Sequence, residues 1–321
     1  MAATDSVLLF DAGAATAQGG RMSQEDRFVI MLPDQFPPLT TTDKLALFAT
    51  YDGHGSAAVS EHVRQSLPAL LIKRPEFTKG DYETAIIRAF EDEDQLLLQM
   101  AMEDDTEPVI AGSTVALCLV NMTKGLMVVG NVGDSHIFLA RRDPATETVT
   151  WQDRLTREHK PHDPAEKSRI EEAGGAVHTY GGTARLGTLN MSRALGDLQY
   201  KNPINNLDVA GTKKSRRAIA SGSRAQHPRN RGNFISNEAD VQTVQLDQDS
   251  RYMLLCCTDG VTDVTDETML VEEVAKDFMR GRRATDIAKR VTKATAEQPQ
   301  SDNCTCVIAF FDGTASTRLE A

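Results

Sequence analysis

Aspartates stand at the ends of several apolar runs that are predicted to be strands. They are Asp52 after residues 44–51, Asp134 after 125–132, Asp259 after 251–258 with Asp263 four residues on, and Asp302 before 304–311. Strand ends on one edge of a sheet can bring residues distant in sequence together. Clustered carboxylates repel one another unless a cation lies among them. Because Asp is also common in turns, the pattern indicates either a cation site or several unrelated turns.

The stretch YDGHGS, residues 51–56, adds glycines and a histidine to one of these strand ends. Glycine beside an aspartate, as in Asp52-Gly53 and Asp259-Gly260, lets a backbone carbonyl approach a cation. Carboxylates without many histidines or cysteines nearby suit Mg²⁺ or Mn²⁺ rather than zinc. From these residues alone, a turn and a metal site both remain open interpretations of the stretch.

The composition is that of an ordinary globular protein, with 321 residues, 40% hydrophobic and 25% charged. A net charge of −11 disfavours attraction to nucleic acid or to an anionic membrane. The five cysteines lie in apolar runs without CxxC spacing, which disfavours a disulfide framework and a zinc site. No apolar run is long enough for a membrane span, and no basic residue precedes Arg21, which disfavours a signal peptide. We therefore expect reduced thiols and a cytoplasmic or nuclear location.

The hydrophobic pattern alternates between strands and helices. Strands are predicted at 27–32, 44–51, 113–120, 125–132, 135–141, 251–258 and 304–311. The third, fourth and fifth of these follow one another closely, which predicts an antiparallel meander. Helices are predicted at 59–71, from Asp81, from Asp163 to Gly174, at 266–280 and at 284–295, with Pro68 expected to kink or shorten the first.

Residues 202–235 form a loop-like basic segment in an otherwise acidic chain. Its cations are Lys213, Lys214, Arg216, Arg217, Arg224, Arg229 and Arg231, and Asp208 is its only acid. The segment is interpreted either as a solvated surface loop or as a docking surface for phosphorylated or acidic partners. The run KKSRR within it is also compatible with a nuclear signal.

Several stretches, in order over residues 18–312, resemble the metal-dependent protein phosphatases of the PP2C (PPM) family. They are GGRMSQEDRF, YDGHGS, GSTVALCLV, GNVGDSHIFLAR, LTREHKPHDPAEKSRIEEAGG, GTLNMSRALGDLQYK, CTDGVTDV and SDNCTCVIAFF. One such match would be weak, but this many in the same order are specific. The resemblance implies one PP2C-like domain, an α+β fold in which two antiparallel sheets lie between helices as an α/β/β/α sandwich.

The resemblance also implies the roles of individual residues. Asp52, Gly53, Asp259 and Asp302 would hold two Mn²⁺ or Mg²⁺ ions, Glu25 and Asp26 would hold metal-bound waters, and Asp134 and Asp263 would hold a weaker third metal. Arg21 would bind the phosphate, and His54 would protonate the leaving alkoxide as general acid. Two cations lower the pKa of a water between them, so no cysteine nucleophile is needed. The basic segment 202–235 falls where the family carries a variable flap, and Ser192, Arg193, Gly196 and Asp197 are expected to fix the backbone near it, without direct catalysis.

The expected substrates are phosphoserine and phosphothreonine proteins, and the chain is expected to act as a monomer. Four departures from the family pattern are Ser56, His136, Asn190 and Thr262, and none removes a proposed ligand. A pseudophosphatase that docks partners without turnover is a first alternative, which the intact Asp52, Asp259 and Asp302 disfavour. An adaptor that binds nucleic acid or acidic proteins through residues 213–231 is a second, and the salt dependence of binding would test it.

Overall fold

The structure is a computed structural model that describes residues 5–38, 42–103, 105–143, 145–146, 148–206 and 231–316. Most of the predicted basic segment, including its run KKSRR, lies outside these residues. Within the described ranges, none of the helices combines the length and the apolar character that crossing a membrane requires.

Antiparallel strands form the centre of the molecule. In chain order they are β1 (Val7–Ala17), β2 (Arg27–Met31), β3 (Leu45–Tyr51), β4 (Gly53–His54), β5 (Gly112–Ser113), β6 (Val115–Asn121), β7 (Leu126–Val132), β8 (His136–Arg142), β9 (Val149–Arg154), β10 (His178–Tyr180), β11 (Thr183–Arg185), β12 (Leu195–Gly196), β13 (Asp240–Gln245), β14 (Arg251–Cys257) and β15 (Cys304–Gly313). Two five-stranded sheets have the orders β13-β7-β6-β3-β2 and β1-β15-β14-β8-β9. A three-stranded sheet, β12-β5-β4, lies beside the site described below.

Helices cover the outer faces of the two large sheets. They are α1 (Ala58–Lys73), α2 (Pro75–Thr78), α3 (Tyr82–Met102), α4 (Glu107–Ile110), α5 (Pro164–Glu172), α6 (Asp259–Thr262), α7 (Glu267–Met279) and α8 (Ala284–Ala296), with short 3₁₀ turns at Pro33–Gln35, Leu198–Tyr200 and Ile204–Asn206. The predicted starts are confirmed at Asp81 and Asp163, whose side chains accept hydrogen bonds from backbone N–H groups of the first turn.

Three hydrophobic clusters show the order of the layers. Alternate residues of β3 and β6 pack against α1 and α3, as Leu47 does. Their opposite faces, with Phe48, pack against the other sheet, with Phe311. The outer face of that second sheet, with Phe310, packs against α7 and α8. This helix–sheet–sheet–helix order confirms the expected α+β sandwich.

One sequence-based prediction about these elements is wrong, and one of the two effects expected of Pro68 is absent. The expected three-stranded meander is broken because β6 and β7 pair with each other, whereas β8 pairs with β14 and β9 in the other sheet. The helix at residues 59–71 is not shortened, since α1 continues through Pro68 to Lys73. Val63, Leu67 and Leu71 of this helix are buried in the first core, and this packing outweighs the local cost of the proline.

Candidate functional site

The ends of three long strands meet at one cleft, with a volume of about 450 Å³. Asp52 directly follows β3, Asp259 follows β14 by two residues, and Asp302 precedes β15 by two. The predicted site residues that line the cleft are Arg21, Glu25, Asp52, Gly53, His54, Asp259 and Asp302. The sandwich therefore brings together residues up to 281 positions apart in the sequence.

Asp52 lies at the centre of a group of carboxylates that repel one another. Burial, together with the negative charges of Asp259, Asp26 and Asp134, raises the pKa of Asp52 well above its usual value. Burial likewise raises the pKa of Asp259 to about 8, assisted by Asp134 and Asp263. Asp52 and Asp259 are close enough for each to influence the pKa of the other.

Glu25 and Asp26 lie just before β2, on the wall of this carboxylate group. Ser23 Oγ donates to Glu25 Oε1 at 2.6 Å, and the backbone N–H of Glu25 donates to Asn303 Oδ1 at 2.8 Å. Asp26 is almost fully buried, and Thr258 Oγ1 donates to its Oδ2 at 2.8 Å. Burial raises the pKa of Asp26 to about 6, although hydrogen bonds from Thr305 and Thr258 oppose this. The second oxygen, Oδ1, has no hydrogen-bond partner among the described residues.

Gly53 holds the backbone close to two neighbours. A Cβ at this position would lie 2.5 Å from the carbonyl oxygen of Glu25 and 2.6 Å from Ser60 Oγ. A side chain would therefore push apart the two segments that carry Glu25 and Asp52. The residue next to the aspartate thus has to be glycine for reasons of space, in addition to any role of its carbonyl.

Asp134 and Asp263 lie to one side of the cleft and do not line it. Asp134 is fully buried and forms an ion pair with Lys160 Nζ, while its Oδ1 has no partner within the described part of the chain. Asp263 is exposed by surface area, but the protein atoms around its carboxylate still withhold water from it and raise its pKa, an effect that Lys160 opposes. Both acids are close enough to raise the pKa of Asp259. The structure therefore groups them with the other carboxylates, and the ammonium group of Lys160 opposes the rise in the pKa values of Asp259 and Asp263.

Arg21 lines the cleft, with its side chain more than half exposed. One of its nitrogens, Nη2, forms an ion pair with Asp302 Oδ2. The other oxygen of Asp302, Oδ1, accepts a hydrogen bond from the backbone N–H of Asn303 at 2.7 Å. Arg21 has an exposed guanidinium at the cleft, which is the geometry needed to meet an anionic group entering from solvent.

His54 faces the cleft from β4 and is hydrogen-bonded on its other side. Its Nε2 lies 2.7 Å from Oδ2 of Asp197, a fully buried residue of the SRALGD stretch. Burial opposes the charged form of the ring, but the charge and hydrogen bond of Asp197 outweigh it and raise the pKa of His54. The sequence interpretation assigned Asp197 to fixing the backbone, so its contact with His54 was missed.

The carboxylate group was tested as a place for a divalent cation. No three His, Cys, Asp or Glu side chains of the described residues converge as a complete ligand set in their present positions. The group nevertheless has the chemistry of a hard-cation site, because its donors are oxygens and its charges repel. The unpartnered oxygens of Asp26 and Asp134, and the raised pKa values of Asp52 and Asp259, are what a missing cation would leave behind. The residues therefore fit Mg²⁺ or Mn²⁺.

Other residues at the site carried no signal in the sequence interpretation. Lys160 was only part of a matching stretch, and a single lysine in a loop does not reveal that it pairs with a buried acid. Asn303 binds three backbone groups, donating through Nδ2 to the carbonyls of Gln18 and Ser23 besides accepting from Glu25. The cleft is also lined by the end of β11 and the segment that follows it, through Arg185, Thr188, Leu189, Asn190 and Met191.

Known proteins resemble this chain over almost its full length. Residues 10–304 match the family model described as protein phosphatase 2C. The probable protein phosphatase 2C 5 of Paramecium tetraurelia is 28% identical over 316 residues, which cover 94% of this chain and 93% of the relative. Protein phosphatase 2C homolog 2 of Schizosaccharomyces pombe is 27% identical over 309 residues, covering 94% of this chain and 73% of the relative.

A solved structure shows the same fold. The serine-threonine phosphatase 2C of Toxoplasma gondii superposes with a TM-score of 0.70 and 22% identity, covering 96% of this chain and all of that one. At that identity the similarity shows the fold alone. The family model, which spans most of the chain, shows more: this protein belongs to the protein phosphatase 2C family.

Proposed function

We propose that this protein hydrolyses phosphoserine and phosphothreonine side chains of proteins, using Mg²⁺ or Mn²⁺ in the cleft. Enzymes of this family are metal-dependent phosphatases. The observation that carries the proposal is the convergence of Asp52, Asp259 and Asp302 on one cleft that also contains Arg21 and His54. A water molecule attacks phosphorus, the bond from phosphorus to the side-chain oxygen breaks, and the products are inorganic phosphate and an alcohol.

The carboxylates would hold the cations. Asp52, the carbonyl of Gly53, Asp259 and Asp302 would bind two of them, with Glu25 and Asp26 holding their waters. Asp134 and Asp263 would contribute to a weaker third site. Divalent cations in such a site make water a stronger nucleophile and offset the charge that develops on the phosphoryl oxygens. Their binding also removes the repulsion among the carboxylates, since each acid then faces a positive charge.

Arg21 would bind the phosphate. Its side chain lines the cleft and is more than half exposed, so an incoming phosphoryl group can meet it. A planar guanidinium can donate two parallel hydrogen bonds to two phosphoryl oxygens, which lysine cannot reproduce. To do so, Arg21 has to release Asp302, which would then be available to a cation. The ion pair between these two residues is therefore proposed to exchange for two stronger interactions.

His54 would donate the proton that the leaving group needs. Serine and threonine alkoxides are poor leaving groups unless they are protonated as the bond to phosphorus breaks. His54 lines the cleft beside Asp52 and Gly53. In its charged form the ring transfers one proton to the leaving oxygen and becomes neutral.

The alternative is a pseudophosphatase on the same fold. The presence of Asp52, Asp259 and Asp302 together with Arg21 and His54 disfavours it. We propose further that the protein acts as a monomer on phosphoproteins in the cytoplasm or the nucleus, and that its acidic charge keeps it from nucleic acid. Binding to DNA that weakens with salt would contradict the last of these points.

Hydrolysis of a phosphothreonine peptide tests the proposal. The purified protein is assayed with EDTA, with Mg²⁺ and with Mn²⁺, beside Asp259→Asn and the matched control Asp277→Asn, a buried aspartate of α7 outside the lining of the cleft. We expect turnover with either metal, none with EDTA, and loss of at least about 10³-fold in Asp259→Asn. Folded wild-type protein that shows no turnover with any metal would support the pseudophosphatase instead.

A further inference from the structure

We propose that Asp197 is a positioning residue that fixes the orientation and the protonated nitrogen of His54. The inference rests on the proposed function, because it concerns the proton that His54 would give to the leaving group. It assigns a role that the sequence interpretation gave to backbone support alone. The argument starts from how the chain brings the two side chains together.

A small sheet places Asp197 against His54. Strand β5 pairs with β4 on one side and with β12 on the other, and Gly112 lies opposite both His54 and Gly196. Asp197 follows Gly196 directly, so its side chain reaches across Gly112 to the histidine ring. Oδ2 of Asp197 lies 2.7 Å from Nε2 of His54, which is the distance of a charge-assisted hydrogen bond.

Gly112 leaves the space in which the two side chains meet. A Cβ at this position would overlap Oδ2 of Asp197 and lie 2.6 Å from Nε2 of His54. Atoms of a side chain at residue 112 would therefore occupy the place of this hydrogen bond. The hydrogen bond between His54 and Asp197 therefore requires glycine at position 112 of β5.

The side chain of Asp197 does not support the local backbone. Asp197 precedes the 3₁₀ turn Leu198–Tyr200, where an aspartate would normally cap the turn, yet its side chain makes no capping hydrogen bond. It is fully buried, and its Oδ1 has no partner among the described residues. A buried carboxylate with a single partner is costly to keep, so backbone support does not account for it.

The backbone of Asp197 is itself held in an unusual conformation. Its φ is 50°, in the left-handed region that few residues other than glycine adopt. Neighbouring groups hold it there: its N–H donates to the Ala111 carbonyl at 2.9 Å, and the N–H of Gly196 donates to Asp94 at 2.9 Å. Asp94 is fixed in turn by the buried ammonium of Lys201 at 2.8 Å. These contacts hold the backbone of Asp197 in the left-handed region, which aspartate tolerates better than most residues, and so fix the position of its side chain.

The pairing decides which nitrogen of His54 exchanges a proton. Because Oδ2 accepts a hydrogen bond, the proton on Nε2 stays in place, and Nδ1 is the nitrogen that can give up its proton. Nδ1 is buried and has no hydrogen-bond partner in the described part of the chain, so the leaving oxygen has to displace the atoms that cover it. When the bond from phosphorus to the leaving oxygen breaks, the Nδ1 proton moves to that oxygen and leaves a neutral ring still bonded to Asp197.

Two substrates separate positioning from a general structural effect. A phosphothreonine peptide needs protonation of its leaving group, whereas the nitrophenolate of p-nitrophenyl phosphate leaves without it. We expect Asp197→Asn to lower kcat for the peptide by about 10- to 100-fold with little change in KM, and kcat for p-nitrophenyl phosphate by less than about threefold. Asparagine tolerates the left-handed backbone, so the variant changes the carboxylate and not the fold.

Further variants sharpen the test. Gly112→Ala keeps both polar side chains and should show the same difference between the two substrates. The double variant His54→Ala with Asp197→Asn should be no slower than His54→Ala alone, because the two residues act as one unit. The control Asp277→Asn should change neither rate. Equal losses on both substrates in Asp197→Asn, or a wild-type rate on the peptide, would overturn the inference.

An NMR measurement on the metal-free protein tests the role of Asp197 without relying on catalysis. The ¹⁵N chemical shifts of the His54 ring, recorded with EDTA at a pH where the ring is neutral, report which nitrogen carries the proton. We expect Nε2–H in the wild type and a mixture of tautomers in Asp197→Asn. Identical tautomers in both would overturn the inference. Wild-type protein that hydrolyses neither substrate would contradict the proposed function, while these spectra would still decide the role of Asp197.

Discussion

Buried carboxylates occur in two different surroundings in this protein. Away from the cleft they face cations of the same chain: Lys201 lies 2.8 Å from both oxygens of Asp94, and Arg193 and Arg169 both bind Glu166. In the cleft, Asp52 and Asp259 mainly face other acids. The acids away from the cleft, called remote acids below, thus have cations of the chain beside them. Asp52 and Asp259 have too little positive charge nearby to offset the repulsion among the cleft acids.

The pKa values follow the same division. A hydrogen bond from Arg283 lowers the pKa of Asp11 below its usual value. Burial alone would raise the pKa of Glu166, but hydrogen bonds from Arg193 and Arg169 lower it. Burial raises the pKa of Asp259 to about 8, because neighbouring acids add to it. The remote acids thus have the pKa values of paired structural groups, whereas the raised pKa values of the cleft acids support the proposal that a cation binds there.

Replacing a cleft acid should have the largest effect, and in opposite directions on activity and stability. We expect Asp52→Asn to lower metal-dependent turnover by at least about 10³-fold. The metal-free variant should be at least as stable to thermal unfolding as the wild type, because a repelling charge is gone. Mn²⁺ should raise the melting temperature of the wild type only. A metal-free Asp52→Asn that is markedly less stable would contradict the distinction drawn between the two kinds of acid.

Removing a cation from a remote pair should be costly for stability. Lys201→Met leaves Asp94 buried and unpaired, and the loss of free energy of unfolding should be about 3 kcal/mol, measured by denaturant titration. Adding Asp94→Leu should recover part of the loss, although Gly196 N–H then lacks its acceptor. A single variant as stable as the wild type would show that water or another group compensates Asp94, which would weaken the comparison.

The sequence predicted the long, strongly patterned elements and not those that depend on distant partners. Strands β3, β14 and β15 were predicted because each is a nearly continuous apolar run. The strand β1 was missed because its DAGAATA run is rich in alanine and glycine, which rarely favour strands. It is held by pairing with β15 at the far end of the chain.

Some residues of the candidate site were likewise predictable from the sequence, and others were not. Asp52, Asp259 and Asp302 were predicted because each lies at a strand end and within a recognisable motif, and the structure brings them to one cleft. Asp197 and Lys160 were not assigned to the site, since their roles come from single contacts across the fold, with His54 and Asp134. Neither residue type nor spacing indicates such contacts. The roles of all the site residues stay predictions until the variants are measured.

The ion pairs of the remote acids should also make the free energy of unfolding depend on pH. Glu166 has a lowered pKa in the folded protein, so its ion pairs stabilise the fold above the unfolded value of about 4.5 and lose that effect as pH falls through the folded value. The stability difference between wild type and Glu166→Gln should therefore be about 1–3 kcal/mol near pH 7 and shrink below about pH 4.5. Urea titrations of both proteins across this range measure it. A difference that stays constant with pH would mean that Glu166 contributes shape and not charge.

Exposed ion pairs should make the smallest contribution to the free energy of unfolding. Lys276 and Glu272 lie one turn apart on α7 with a separation of 3.1 Å, and both side chains are about half exposed. Water competes for both charges, so Lys276→Ala should change the free energy of unfolding by less than about 0.5 kcal/mol, and added salt should reduce even that. Urea titrations at low and high salt measure the effect beside Lys201→Met. If the exposed and buried lysines cost the same, burial would not be what separates paired from unpaired acids, and the raised pKa values in the cleft would need another cause.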